Sequence, residues 1–196
     1  MENFGSLSSV LGTEVRRDRP NGTMSIFQRG YTREELKRCN FDECRGVPTP
    51  VQGKVKILEP DCGRGGNSTQ YRGMVGLLMY ALTGIKPGIA DTVHQAARRM
   101  EDPHREDFST CKRIFRYVSI MPDLGITFDD KSSGHDREGF VDADWAEGGD
   151  QKSTTGNVLK LNDGAIIWCS RKQQLVTWSS TEAEYVAVGE AGMETA

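Results

Sequence analysis

The spacing of apolar residues changes period along these 196 residues, and that change restricts the chain to folds that mix helices with strands. Between Tyr71 and Ile120, Met74, Val75, Leu78, Met79 and Leu82 recur every three or four positions, as do Phe108, Cys111, Phe115 and Val118. Each segment therefore turns one apolar stripe inward as a helix, and the methionines and aromatics belong to the core. Pro87-Gly88 separates the first helix from a second over Ile89 to Met100. Asp102-Pro103 opens a third, with the aspartate accepting backbone N–H bonds and proline tolerated at the first helical position. Beyond this the pattern turns to strands. Phe140 to Trp145 is one, Gly156 to Leu161 and Ala165 to Ser170 form a hairpin around Asn162-Asp163-Gly164, and a capped helix starts at Ser179. The order is strand, strand, strand, helix.

The N-terminal part carries its own hairpin. Leu11 to Phe27 reads as two strands around Pro20-Asn21-Gly22, because Asn-Gly readily takes the positive φ angles of a tight turn. A short helix follows from Thr32 to Cys39. After Pro48-Thr49-Pro50 periodicity disappears, and Gln52 to Thr69 reads as a connector. Its glycines make no phosphate loop, since no Gly-Lys-Ser/Thr follows them.

A hydrophobic content of 36% is compatible with a packed core, and 25 basic against 28 acidic residues leave a formal charge of −3. That balance excludes a general polyanion-binding surface but allows local basic patches. The candidates are Arg16, Arg17 and Arg19, then Lys112, Arg113 and Arg116, then Arg171-Lys172 after a strand. Five cysteines, an odd number without a CxxC pair, fit a reduced cytoplasmic or nuclear setting and no zinc site. No basic region followed by an apolar run opens the chain, and no apolar stretch reaches the ~20 residues of a membrane span. The expectation is an unexported protein with no membrane partner. His94, His104 and His135 lie at no recognisable distance from a nucleophile, which argues against a hydrolase triad.

Two acidic signatures carry the chemistry: Val141-Asp142-Ala143-Asp144-Trp145 and Ser179-Ser180-Thr181-Glu182-Ala183-Glu184-Tyr185. Side chains alternate along a strand, so Asp142 and Asp144 share a face, where a divalent cation would relieve their repulsion. Hard oxygen ligands of this kind suit Mg2+. Each signature has a plainer explanation. Thr181 with Glu184, or Ser179 with Glu182, fits a capping box, and the two aspartates fit a solvated strand end.

The wording around these signatures resembles the Pol polyprotein of copia-type LTR retrotransposons. The likeness rests on the runs Tyr71 to Tyr80, Lys86 to Ala90, Asp142 to Ala146, Lys152 to Gly156 and Ser180 to Tyr185. Upstream, Leu11 to Val15, Gln28 to Tyr31 and Thr49-Pro50 resemble the end of the family's reverse transcriptase. The resemblance implies an α+β chain in four parts: a hairpin and helix remnant of reverse transcriptase over 1–51, a linker over 52–70, a helical connection over 71–130, and over 131–196 a truncated RNase H-like mixed sheet of β-β-β-α order. It assigns catalytic and Mg2+-binding roles to Asp142 and Glu184, with Asp144 ranked below them, and it makes an RNA–DNA hybrid and the remainder of Pol the partners. Arg171 and Lys172 become candidate phosphate contacts. The family's polymerase aspartates lie upstream of these residues and its other RNase H carboxylates downstream, so the expectation is an excerpt that cuts poorly alone. Lys86, Gly88 and Glu147 depart from the usual family residues, which suggests a diverged copy and keeps open a degenerate, non-catalytic remnant, while the basic clusters keep open a host-adopted nucleic-acid-binding module.

Overall fold

The computed structural model describes residues 7–51, 67–130, 137–146 and 151–195. Among these the chain is α+β, with five α-helices and two antiparallel sheets. The greater part of the sequence-predicted linker, and the neighbourhoods of Cys62, His135 and Glu147, lie outside the described residues.

Three helices form the centre. After the single strands and helix of the N-terminal part (β1 Ser9–Val10, β2 Thr13–Asp18, β3 Thr23–Phe27, α1 Arg29–Arg38) comes α2, Ser68–Ile85. Its first turn is closed by Asn67, whose Oδ1 accepts from the N–H groups of Thr69 at 3.0 Å and Gln70 at 3.3 Å. Met74, Val75, Leu78 and Leu82 are buried, as their spacing predicts. A single 3-10 turn, Pro87–Ile89, leads into α3, Ala90–Ala97. The next helix, α4, runs Arg105–Ser119, two residues later than the Asp102-Pro103 signal suggested. The acid that serves it is Asp107, which accepts the His104 N–H at 2.7 Å, while Asp102 stays exposed. Cys111, Ile114, Phe115 and Val118 of α4 pack with the buried faces of α2 and α3 in one cluster, and the buried Tyr71 hydroxyl donates to Ala96 O at 2.9 Å.

Burial has a titration consequence here. It pushes the Cys111 thiol up to about 12, with Asp107 and Cys39 adding to the effect. Burial first, then Glu35 and Tyr80, raise Tyr31 to about 12 against the counteracting Arg38, and Tyr71 is raised as well, chiefly by burial. These groups hold their protons more tightly folded than unfolded, so the stability they contribute is intact below pH ~9 and is lost as pH climbs toward ~12. Lys86 works the other way, because burial lowers its pKa and its deprotonation favours the folded state. Burial also raises Cys39 and Cys169, and with five raised thiols and phenols against one lowered lysine the urea midpoint should fall between pH 8 and pH 11. A midpoint that stays constant across that range would contradict the burial of these side chains.

The N-terminal hairpin forms as expected, with β2 and β3 paired antiparallel and Gly22 taking a φ of 68°. Asn21 keeps a negative φ and instead donates its Nδ2 to Asp18 Oδ2 at 2.8 Å. Helix α1 begins at Arg29 rather than Thr32 and ends at Arg38, and just past its cap Asn40 takes a φ of 58°, the left-handed turn that asparagine tolerates after a helix. The stretch after α4, grouped with the helices in the sequence reading, holds a strand: β4, Gly125–Asp129, pairs antiparallel with β3 and completes a sheet of order β1-β2-β3-β4.

The second sheet has order β5-β6-β7 (Arg137–Asp144, Thr154–Leu161, Gly164–Lys172), and α5, Ser180–Thr195, follows it. Asn162 and Asp163 make the β6–β7 turn, both with positive φ. Gly164 is the first residue of β7, and a Cβ there would come 2.3 Å from the Phe128 ring of β4. The Asp129 N–H also donates to Asn162 O at 2.9 Å, so β4 ties the two sheets together. From β7, Trp168 Nε1 donates to Leu82 O at 3.0 Å and Ser170 Oγ to Asp91 Oδ1 at 3.2 Å, which docks that strand on the helical centre.

Candidate functional site

Asp142 and Asp144 sit near the end of β5, an edge strand whose outer side pairs with no described strand. Helix α5 comes to lie along β5 and β6 because of buried polar groups. Gln173, 1% exposed, donates its Nε2 to Thr155 Oγ1 at 3.1 Å and to Ala183 O at 2.8 Å. Ser153 and Thr177 share a hydroxyl bond of 2.9 Å, and Asn157 Nδ2 donates to Glu194 Oε2 at 2.7 Å. These contacts give the Ser153-Thr154-Thr155 run a structural purpose. Ser153 and Thr155 are fully buried and hold the segment that feeds α5.

The cap of α5 settles one alternative. Ser179 Oγ accepts the Glu182 N–H at 3.1 Å, and Glu182 Oε2 accepts the Trp178 N–H at 2.7 Å. Ser179 with Glu182 is thus the capping pair, and Glu184 is left out of it, half-buried in the next part of the helix.

Register fixes the direction of the aspartates. Thr155 and Asn157 face α5 and pair with Ala143 and Val141, whereas Asp142 pairs with Gly156 and Asp144 with Thr154. By alternation, Asp142 and Asp144 point together to the face opposite α5. The helical centre covers that face at β7 and leaves both aspartates exposed. A Cβ added to Gly156 would meet nothing within 4 Å, so the surface beside Asp142 is open. Asp142 and Glu184 therefore come from neighbouring elements but from the two sides of the sheet, and the way between them runs around the unpaired edge of β5. Among the described residues no group of three or more His, Cys, Asp or Glu side chains is gathered closely enough to hold a metal ion.

Members of two of the three basic clusters bond within the protein, while Arg16, Arg17 and Arg19 stay exposed on and just after β2. Arg171 lies between Glu190 and Glu194, at 3.5 and 3.1 Å, and helps anchor α5, while Lys172 ends β7 opposite Thr154. Arg113 Nη2 donates to Thr49 Oγ1 at 3.0 Å and Arg116 Nε to Arg45 O at 2.7 Å, which pins residues 45–49 against α4. In their place the fold gathers Arg38, Arg72 and Lys112 around one cleft, from three helices whose sequence separation hides the grouping. No helix among the described residues is long and apolar enough to cross a membrane.

Comparison with known proteins finds a retrovirus-related Pol polyprotein from the transposon TNT 1-94 of Nicotiana tabacum, 34% identical over 99% of this chain. A second, from the transposon RE1 of Arabidopsis thaliana, is 36% identical over 96% of it. The chain belongs to the copia-type Pol polyproteins of plant transposons. It spans about 15% of the Nicotiana polyprotein and 13% of the Arabidopsis one. An uncharacterised mitochondrial protein of Arabidopsis thaliana matches at 30% identity over 96% of this chain and 77% of its own length. No family model matches, and no solved structure does. In this Pol chain the loop before α5 and the outer side of that helix expose Leu175, Trp178, Tyr185 and Val188, with Trp178 at 90%. The Trp145 indole lies beside them through its Nε1 bond to Thr177 O at 3.3 Å, so an apolar surface borders the candidate carboxylates.

Proposed function

We propose that this chain supplies part of an RNase H-like domain of the Pol polyprotein, in which Asp142 and Glu184 are two of the carboxylates that bind Mg2+ and the substrate is the RNA strand of an RNA–DNA hybrid. One observation carries the reading: an edge strand bearing Asp142 is followed, in β-β-β-α order, by a helix packed along it that bears a glutamate free of capping duty. Membership of the Pol family supports it further. Bound magnesium in such a domain supplies activated water and charge stabilisation at the phosphate. The described residues do not by themselves fit a resident metal pair, because Mg2+ sheds its water reluctantly and two carboxylates from opposite sides of a sheet are a weak cage. Further ligands would come from Pol residues outside this chain, approaching at the unpaired edge of β5. Asp144 would add negative charge beside the site without being a required ligand.

The test compares two proteins on a labelled RNA–DNA hybrid with Mg2+. Residues 1–196 alone should cut little. A longer Pol polyprotein containing them should cut in a magnesium-dependent way, and Asp142→Asn in that protein should slow cutting by more than the roughly 10–100-fold that loss of a group merely orienting a metal ligand costs. Equal cutting by the Asp142→Asn protein would overturn the assignment.

That no three carboxylates are grouped among the described residues favours a second reading, a chain that contacts nucleic acid without catalysis. Hybrid binding by the longer protein with no magnesium-dependent cutting would support that instead.

A further inference from the structure

We propose that the outer face of α5 pairs with the same face of a second copy of this chain, as an antiparallel, two-fold helix dimer. The inner face of α5 is taken up by the second sheet, with Ala183 and Ala187 fully buried and Glu190 and Glu194 held by Arg171. The side turned to solvent carries Tyr185 at 77% exposure, Val188 at 58% and Met193 at 74%, with Gly189 and Gly192 between them. Positions 185, 188, 189 and 192 recur at three- and four-residue spacing, so they form one stripe along the helix. Trp178 stands at the N-terminal end of that stripe, and its backbone is fixed there because its N–H donates to Glu182 Oε2 at 2.7 Å. A continuous apolar strip on an ordered helix marks an interaction surface.

Three properties of the strip select a second copy as its occupant. The first is shape. A Cβ on Gly189 or Gly192 would meet nothing within 4 Å, so no packing among the described residues requires glycine at either place, although glycine inside a helix is unfavourable relative to alanine. An antiparallel two-fold centred between Val188 and Gly189 sets Tyr185 of each copy over Gly192 of the other, and Val188 over Gly189. Each large side chain then meets bare backbone, which is the self-complementarity that a two-fold contact demands. The second property is charge. Among the described exposed residues of α5 Glu182 alone is charged, and in the antiparallel pair its two copies stand about 20 Å apart by the ~1.5 Å rise of a helix, beyond a Debye length of ~8–10 Å. A parallel pair would set them side by side. Helix α5 holds no Lys or Arg, which disfavours an anionic lipid surface. The third property is area. At roughly 150–250 Å² for an aromatic side chain, Trp178 and Tyr185 together offer on the order of 300 Å² per copy. With Leu175, Val188 and Met193 the strip reaches about 600 Å² per copy, and two copies pass the roughly 1,000 Å² that a specific interface needs.

Sedimentation equilibrium of the 196-residue chain between about 1 and 100 μM should fit a monomer–dimer equilibrium. No metal and no hybrid enter, so its failure and the failure of the nuclease reading are separate events. A Trp178→Ala, Tyr185→Ala double variant should weaken the dimer at least about 30-fold, the loss that one buried aromatic anchor carries. Both side chains are exposed in the monomer, so its melting curve at low concentration should not change. A Gly189→Leu, Gly192→Leu double variant separates shape from adhesion. It is more apolar and, with open space at both positions, should fold at least as stably, yet its dimer should be weaker by about tenfold or more. Unchanged association in the alanine variant would overturn the proposal, and so would stronger association in the leucine variant, which would make the strip an unspecific adhesive surface. A chain that stays monomeric at about 100 μM would overturn it as well. The same holds for increased hydrogen-exchange protection of residues 178–193 in a longer Pol protein that remains monomeric, which would assign the face to another Pol segment.

Discussion

Ile114→Ala should lower the unfolding free energy by about 2–5 kcal/mol, measured as a shift of the urea midpoint at constant slope. Ile114 is fully buried in α4, and its cluster joins faces of α2, α3 and α4. Removing three carbon atoms there costs the transfer free energy of those atoms and leaves a cavity that rigid helices close only partly. The effect should also spread beyond the helices, because Trp168 of β7 packs against the same cluster and is bonded to Leu82 O. Ile114→Val, which keeps most of the volume, should cost only about 0.5–1.5 kcal/mol. If the alanine protein loses no more than the valine one, this cluster is not the main core.

That cluster was legible in the sequence, and the reason is local. A helix stripe repeats within a few residues, so Met74 to Leu82 and Cys111 to Val118 announce their burial without knowledge of what covers them. The β6–β7 hairpin was legible too, although its turn uses Asn162 and Asp163 for the positive φ angles and leaves Gly164 in the strand. The glycine there answers to the distant Phe128 ring, which no local pattern predicts. Strand β4 was missed for a related cause: its five residues make no strong alternating pattern, and its partner β3 lies about a hundred positions earlier, with Ser25 and Thr127 joined by a hydroxyl bond of 2.8 Å. For the candidate site, the sequence supplied Asp142, Asp144 and Glu184 as acids on adjacent elements. It could not say that α5 would take the Ala143 face of β5, since that follows from Gln173, Thr155 and Asn157, polar residues whose burial depends on tertiary contacts. Charge clusters were the least transferable signal. Arg113, Arg116 and Arg171 all bond within the protein, and the cations that share a cleft are scattered over three helices.

Gly125→Val should unfasten the N-terminal sheet from the rest of the chain. A Cβ at this position would come 2.3 Å from Phe27 Cδ1 and 2.4 Å from the Ile26 carbonyl oxygen, and the latter is backbone in the paired strand that cannot swing aside as a side chain can. Gly125 pairs with Phe27 and Ile126 with Ile26, so relief of the clash requires β4 to slip or separate from β3. Crowding of this kind costs about 1–3 kcal/mol and occasionally more, and two further methyl groups place valine at the upper end. The consequence reaches the second sheet, since β4 also holds Phe128 over Gly164 and donates from Asp129 to Asn162. Hydrogen exchange should accelerate at the β3–β4 pairs and in the β6–β7 turn while the α2 and α4 amides keep most of their protection. Gly73→Ala is the control of opposite sign: its Cβ meets nothing within 4 Å, and relief of a helix-interior glycine should stabilise by about 0.5–1 kcal/mol. A Gly125→Val protein whose β3–β4 amides exchange as slowly as before would show that this pairing does not hold the sheet to the core.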